Sequence, residues 1–409
     1  MKKISIIMGR GIEGCGVTKF TIEQSKWLEE NDYDYKIFAS KDKTWTRTKS
    51  HDTSNVHLLK FSSKDEVNEM VAQCNDSDLV IINSLPAKSF KEDAIYNFAK
   101  AIGKINTPIA LIQHDHSMLS IRRNAALDEA IDSASIIFTH STENDFASYA
   151  RNRVGGGITL FGEEEGTPIV GFQPGIFFDE IREKYLKPIE EIDFNHHKWI
   201  GRTTPWKGYK ELFELHQNYL QPAHQLTTYE GIEKSPAFIV FREQCNEKYT
   251  PNYHFEKEDY LIENYDLSNA YGESAHIFGP YKQDEMLERM SRVGFGYQLS
   301  LLKPHFIQRS IEYTHCEVAS IGTIPVFRKK YGELCKHRHY EKPLIECENN
   351  GTIWFDEDNL DETFDMILKL QLRRDLFEEY RNNAFEFYKL HQDANYTFSE
   401  MMERINEAI

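Results

Sequence analysis

The sequence predicts an α/β protein made of two Rossmann-like halves with a helical tail. Three observations carry that reading. Short apolar runs alternate with amphipathic stretches through the first half, the alternation restarts near residue 197, and the chain closes on helical segments with no further strand. Strands of four to six apolar residues, each followed by a helix, form a parallel sheet covered on both faces.

The elements follow in order. "KISIIM", "YKIFAS", "NVHLLKF", "DLVIIN", "PIALIQH" and "SIIFTH" read as buried strands. "TKFTIEQSKWLEEN", "KDEVNEMVAQCN", "KEDAIYNFAKAIG" and "RRNAALDEAIDSA" read as the helices between them. "SKDKTWTRTKSHDTSN" (40–55) and the glycine-rich "RNRVGGGITLFGEEEGTP" (151–168) lack apolar periodicity and read as loops. The first domain is therefore set at 1–172. Two prolines and mixed charge mark 173–196 as a linker. A second domain at 197–390 contains the strands "HKWIG", "QLTTYEG", "AHIFGPY", "GFGYQLS", "TIPVF" and "GTIWFD". Its helices include "WKGYKELFELHQNYL", "KQDEMLERMSRV" and "IQRSIEYTHCEVASIG". Residues 391–409 form a last helix, expected to pack back on the first domain.

Composition excludes several function classes. Lys and Arg number 48 against 65 Asp and Glu, a net charge of −17, so phosphate repels the chain on average and a general nucleic-acid coat is ruled out. A nucleic-acid role needs cations gathered locally. Six cysteines without a Cys-x-x-Cys pair read as free thiols in a reducing compartment. "MKKISIIMGR" is too short in its apolar run for a signal peptide, and no run reaches a membrane span. The expectation is a cytoplasmic protein with no membrane partner.

The first candidate site is "IIMGRGIEGCGVTKF". Gly9, Gly11 and Gly14 satisfy the dinucleotide pattern after a strand. The acid that a nicotinamide enzyme wants at the end of the second strand is missing, however, with Ala39, Ser40 and Lys41 there and Asp42 late. A P-loop fails too, since Val17 and Thr18 stand where Lys and Ser/Thr belong. What remains is glycine backbone at Gly14 and Gly16, with Val17, leading into a helix N-terminus that suits a diphosphate. A tight turn without a ligand is the alternative.

"WIGRTTPWKGYKELFEL" is more informative. Arg202 follows a strand and Lys207, with Gly208, opens a helix, so two cations and helix N–H groups gather where a diphosphate leaving group would build charge. Glu317, on a helix ending at Gly322 before "TIPVF", can accept hydrogen bonds from both ribose hydroxyls. Gly279 to Tyr281 in "HIFGPY" would offer a backbone edge to a nucleobase.

In this order the pieces resemble the nucleotide-sugar site of the retaining GT-B glycosyltransferases: Gly-Arg…Lys-Gly, a glycine turn, then Glu-x7-Glu, a small residue, Gly and "PV". Arg202, Lys207-Gly208, Gly279, Glu317 and Gly322…Pro325-Val326 match. Position 309 departs, being Arg309 where the pattern has its first Glu; Glu312 is the nearest acid, and either residue could contact sugar or phosphate. More narrowly, "GRGIEGCGVTKF", "SKDKTWTRTKSHD", "QHDHSMLSIRRN", "WIGRTTPWKG", "SPAFI", "EMLERMSRVGFGYQLS", "QRSIEYTH" and "GTIPVF" look like the DNA α-glucosyltransferases of T-even bacteriophages, nearly end to end.

That resemblance implies two Rossmann-like domains facing across a cleft. It also implies transfer of a hexose from UDP-glucose to 5-hydroxymethylcytosine in duplex DNA with retention, and no bound metal. The setting it implies is the cytoplasm of an infected bacterium, and the expected state is a monomer. Within it, the backbone carbonyl and ring of His114 would face the anomeric carbon, and Asp115 would position or deprotonate the hydroxymethyl group. Lys43, Trp45, Arg47 and Lys49, with Arg122 and Arg123, would meet DNA phosphates. "FRKKYG" and "CKHRH" offer a second basic cluster. Three alternatives remain at this point: a pentose donor such as UDP-arabinose, an NAD-dependent oxidoreductase, and a DNA-binding relic without turnover.

Overall fold

The computed structural model describes residues 2–9, 16–41, 56–86, 92–114, 124–142, 144–154, 166–201, 238–242, 275–278, 283–299 and 313–409. They fall into two compact units, one from Met1–Gly175 with Ala394–Ile409 and the other from Ile176–Lys303 with Ile311–Asp393.

The first unit holds a seven-stranded sheet of β1 (Lys3–Met8), β2 (Asp34–Ser40), β3 (Val56–Leu59), β4 (Leu79–Ser84), β5 (Ile109–Gln113), β6 (Ile136–Thr139) and β7 (Ile169–Gly171). Strand order is β3-β2-β1-β4-β5-β6-β7, and every pair is parallel. β1, β4, β5 and β6 are almost wholly buried, as continuous apolar strands covered on both faces must be. The helices are α1 (Gly16–Glu30), α2 (Lys64–Asn75), α3 (Glu92–Ile102), α4 (Ala125–Ser133) and α5 (Asp145–Val154). Ser63 and Asn124 cap α2 and α4 by accepting from the backbone N–H of Glu66 and Leu127.

Strand order reverses between β1 and β4, the place where open α/β sheets leave a crevice at their C-terminal edge. There the backbone N–H of Gly9 donates to the Ser84 carbonyl at 2.7 Å. A Cβ at Gly9 would lie 2.6 Å from that oxygen and from the Pro86 nitrogen, so only glycine fits. A buried amide ties α1 to the same edge: Asn83 Nδ2 donates to Thr21 Oγ1 at 3.0 Å and to Gln24 Oε1 at 2.9 Å.

The second unit has six parallel strands, β8 (Asp193–Gly201), β9 (Phe238–Arg242), β10 (Ala275–Phe278), β11 (Val293–Gln298), β12 (Ile324–Arg328) and β13 (Ile353–Phe355), ordered β10-β9-β8-β11-β12-β13. Its helices are α6 (Phe178–Tyr185), α7 (Gln283–Met290), α8 (Tyr313–Ser320), α9 (Lys329–Leu334), α10 (Leu360–Leu372) and α11 (Arg374–Gln392). The chain then returns to the first unit as α12 (Ala394–Ala408), where Phe398 packs on Phe20 and Trp27 of α1 with ring centroids 5.3 and 6.3 Å apart. Burying Phe20 completely is worth about 2–3 kcal/mol.

Several elements depart from the sequence expectation. β3 is not buried: as the edge strand it has one partner, and Leu58 is 52% exposed. The stretch 173–196 is more than a linker, because Ile176, Phe178, Tyr185, Ile192 and Phe194 are buried in the second unit through α6 and the start of β8. α5 and the three-residue β7 arise from segments given no strand or helix. "QLTTYEG" lies outside the described residues.

Candidate active site

β5, β6 and β7 end in step. Gln113 pairs with Thr139 and Thr139 with Gly171, so His114, His140 and Phe172 are each the first residue past its strand on one edge of the sheet. Their rings form a row. His140 stacks on Phe172 at 4.4 Å with 28° between planes, and His114 meets His140 at 5.7 Å and Phe172 at 5.4 Å, both edge-on. Phe20 of α1 continues the row, 4.9 Å from His114 and 5.5 Å from Phe172. Phe20, Phe172 and His140 are buried while His114 is partly exposed as a residue, with its Nε2 buried against this aromatic floor.

Gly16 and Val17 form the first turn of α1, exposed and partly exposed respectively. That turn carries no acidic residue, so the positive end of the helix dipole is not offset within it. Thr21 Oγ1 donates to the Val17 carbonyl at 3.0 Å and so links the turn to the Asn83 network.

In the second unit Glu317 sits on the second turn of α8 and is 3% exposed. The Ser320 hydroxyl donates to the Glu317 carbonyl at 2.8 Å. The helix ends because Gly322 takes φ +80°, a left-handed conformation that costs a residue with a side chain about 1 kcal/mol or more. The order reverses again between β8 and β11. β8, which ends at Gly201, borders that switch point, and Arg202 is the next residue in sequence.

The structure thus places His114, Gly16, Val17 and Glu317, and it brings the first of these together with His140, Phe172 and Phe20. Asp115, Gly14, Arg202, Lys207, Gly208, Gly279, Tyr281, Arg309, Glu312, Lys43, Trp45, Arg47, Lys49, Arg122 and Arg123 lie outside the described residues. The segment holding Asp115 has two anchored ends, His114 after β5 and the capping Asn124 before α4.

The second basic cluster is split between core and surface: Arg328 and His337 are buried, while Lys330, Lys336 and His339 are exposed. Arg328 of "FRKKYG" is 1% exposed and pairs with Glu357 at 3.0 Å; Lys329 pairs with Asp356 at 2.6 Å and Lys330 with Glu333 at 2.8 Å. In "CKHRH", His337 is completely buried. Arg328, Lys329 and Lys330 thus pair with the unit's own carboxylates and His337 joins its core, because residues adjacent in sequence point to different faces of the fold. His140 went unnoticed in the sequence although a signal was present: "IALIQH" and "SIIFTH" both end an apolar strand with one polar residue and then histidine.

The family model for DNA alpha-glucosyltransferase matches residues 15–375. The DNA alpha-glucosyltransferase of Enterobacteria phage T4 is 40% identical over 410 residues, spanning 99% of this chain and 100% of the relative. A solved alpha-glucosyltransferase in complex with UDP-glucose and DNA containing an abasic site has 37% identity and a TM-score of 0.83, covering 99% of each chain. A second, in complex with UDP and a 13-mer DNA containing an HMU base, has the same identity, TM-score and coverage.

Proposed function

This chain belongs to the DNA alpha-glucosyltransferase family, and from that membership we propose that it transfers glucose from UDP-glucose to the hydroxymethyl group of 5-hydroxymethylcytosine in duplex DNA. One observation carries the proposal. The likeness runs through both Rossmann-like units, so the halves that take acceptor and donor are both retained. The fold is GT-B in class. No helix among the described residues is long and apolar enough to cross a membrane, and the cytoplasm of the infected host is the place where phage DNA meets the enzyme.

In this reading the first unit takes the DNA and most of the donor grip lies on the second. Arg202 and Lys207 neutralise the diphosphate, Glu317 accepts from the ribose hydroxyls, and Gly279 and Tyr281 border the base. Arg309 or Glu312 contacts the sugar or phosphate. The C1–phosphate oxygen bond breaks on the face where the C1–hydroxymethyl oxygen bond forms, which retains the α configuration. The departing phosphate oxygen takes the hydroxyl proton while Asp115 orients that hydroxyl, and UDP leaves. His114, the first residue past β5, turns its backbone carbonyl and ring toward the anomeric carbon. Lys43, Trp45, Arg47, Lys49, Arg122 and Arg123 hold the duplex through its phosphates.

The test offers plain and hydroxymethylated duplexes with UDP-glucose, then weighs the digested nucleosides. A hexose added only to the modified base is the expected result; no mass gain, or gain on plain cytosine, defeats the reading. Lys207→Ala is expected to slow transfer about 100-fold or more, equivalent to roughly 3 kcal/mol of leaving-group stabilisation. Unchanged turnover removes Lys207 from the site.

A further inference from the structure

We propose that His140 is a positioning residue that holds the His114 imidazole in its working orientation. The proposal rests on the reading of His114 as a residue at the reacting centre. Its argument starts from register. Because Gln113, Thr139 and Gly171 are paired across three parallel strands, the residues that follow them emerge side by side. The Phe172 N–H donates to the Thr139 carbonyl at 3.0 Å, which extends the pairing one step past β7 and fixes where that ring starts.

The segment around His140 is pinned as well. Asn144 Nδ2 donates to Thr139 Oγ1 at 2.9 Å, while Asn144 Oδ1 accepts from the Ala147 N–H at 2.8 Å and caps α5. The turn between β6 and α5 is therefore tied at both ends by one side chain. His140 is 8% exposed and lies nearly parallel to Phe172, which is 4% exposed. These two stacked rings and Phe20 form a contiguous wall that stands edge-on to His114. Edge-to-face packing has a preferred geometry, so it restricts rotation of the imidazole as well as excluding water. Small misplacements of a reacting group can slow a reaction about 100-fold, which is how a residue without substrate contact affects rate.

The function assigned to His140 is that of a ring, which sets the test. His140→Leu puts an apolar side chain of similar size in place of the ring; His140→Phe keeps the stack. Transfer by His140→Leu is expected to fall about 10- to 100-fold in kcat, with UDP affinity by calorimetry within about twofold of the parent. His140→Phe is expected to stay within about threefold of the parent in kcat. If His140 acts through His114, His114→Ala/His140→Leu will be no slower than His114→Ala alone.

Three results overturn the proposal while leaving His114 in place: parental turnover in His140→Leu, a rate below a tenth of the parent in a folded His140→Phe, or full additivity in the double variant. Loss of UDP affinity together with rate also overturns it, assigning His140 to donor binding or to folding. Parental turnover in His114→Ala is a different failure, because it removes the reading beneath and this proposal with it.

Discussion

Each unit contains a pair of histidines in ring contact, and the two pairs are built for opposite ends. In the first unit His114 and His140 lie 5.7 Å apart at the C-terminal edge of the sheet, with His114 partly open to solvent. In the second, His337 and His391 lie 4.8 Å apart and neither has any exposed surface. The buried pair is held by main-chain partners. The N–H of Arg338 donates to His391 Nδ1 at 3.1 Å, the N–H of His339 faces His337 Nδ1 at 3.3 Å, and His337 Nε2 lies 3.2 Å from the Phe387 carbonyl. Accepting at Nδ1 requires that nitrogen to carry no proton, so the ring stays neutral and its Nε2–H can donate. Two aromatic histidine contacts of similar spacing thus serve different purposes. One is a core joint that pins the 335–344 loop to the end of α11; the other occupies a strand edge where ligands bind in folds of this class.

The largest effect that separates the pairs is His391→Ala. Removing a fully buried side chain leaves a cavity and deprives the Arg338 N–H of its acceptor, at a cost of about 3 kcal/mol. Chemical denaturation should show that loss, with kcat per folded molecule unchanged. A variant of normal stability with slowed turnover would reverse the assignment of the two pairs.

Acid is the next discriminator. Burial holds the His337 pKa down to about 4, and burial together with the neighbouring His337 and Arg338 holds His391 well below 6.5. Below pH 6.5 the unfolded chain takes up protons that the folded pair refuses. Stability from this source is therefore intact above pH 6.5 and falls as pH drops toward about 4. His337 alone accounts for roughly 2 kcal/mol between pH 7 and pH 5. Urea midpoints measured across that range check it: His337→Phe should flatten the slope. An unchanged slope in that variant would remove His337 as the source.

How far the two pairs were legible in the sequence differs for a physical reason. The strands carrying His114 and His140 are local patterns, short apolar runs with turn signals, and strand order plus register then place their ends together. β1, β2, β4, β5 and β6 could be read this way; the three-residue β7 and the helix "DFASYARNRV", with weak apolar periodicity, could not. The burial of His337 inside "CKHRH" could not be read, because a string of cations carries no sign of a helix end that packs against one of its members. His337 and His391 meet only through tertiary contact. The buried Arg328 likewise depends on Glu357, which follows the next strand of the sheet. Of the candidate donor site, the order of Arg202, Lys207 and Glu317 along the chain was readable, while the aromatic floor beneath His114 needed three strands in register.

The smallest expected effect tests what keeps the buried pair neutral. Tyr340 is 51% exposed, yet its ring stacks on His337 with centroids 4.5 Å apart and 30° between planes. It covers one face of the imidazole at the surface, while Phe387 lies against the ring at 4.5 Å from within the unit. Tyr340→Ala gives up one partly solvated ring contact, so the stability loss at pH 7.5 should be under about 1 kcal/mol. Water then reaches His337, burial penalises its charged form less, and its pKa moves up from about 4 toward 6.5. The acid-dependent loss between pH 7 and pH 5 must shrink as a result, leaving the variant relatively better off in acid than at neutral pH. Histidine proton shifts followed through that range read the change directly. An unmoved His337 titration would mean that Phe387 and the end of α11 exclude water without help from Tyr340.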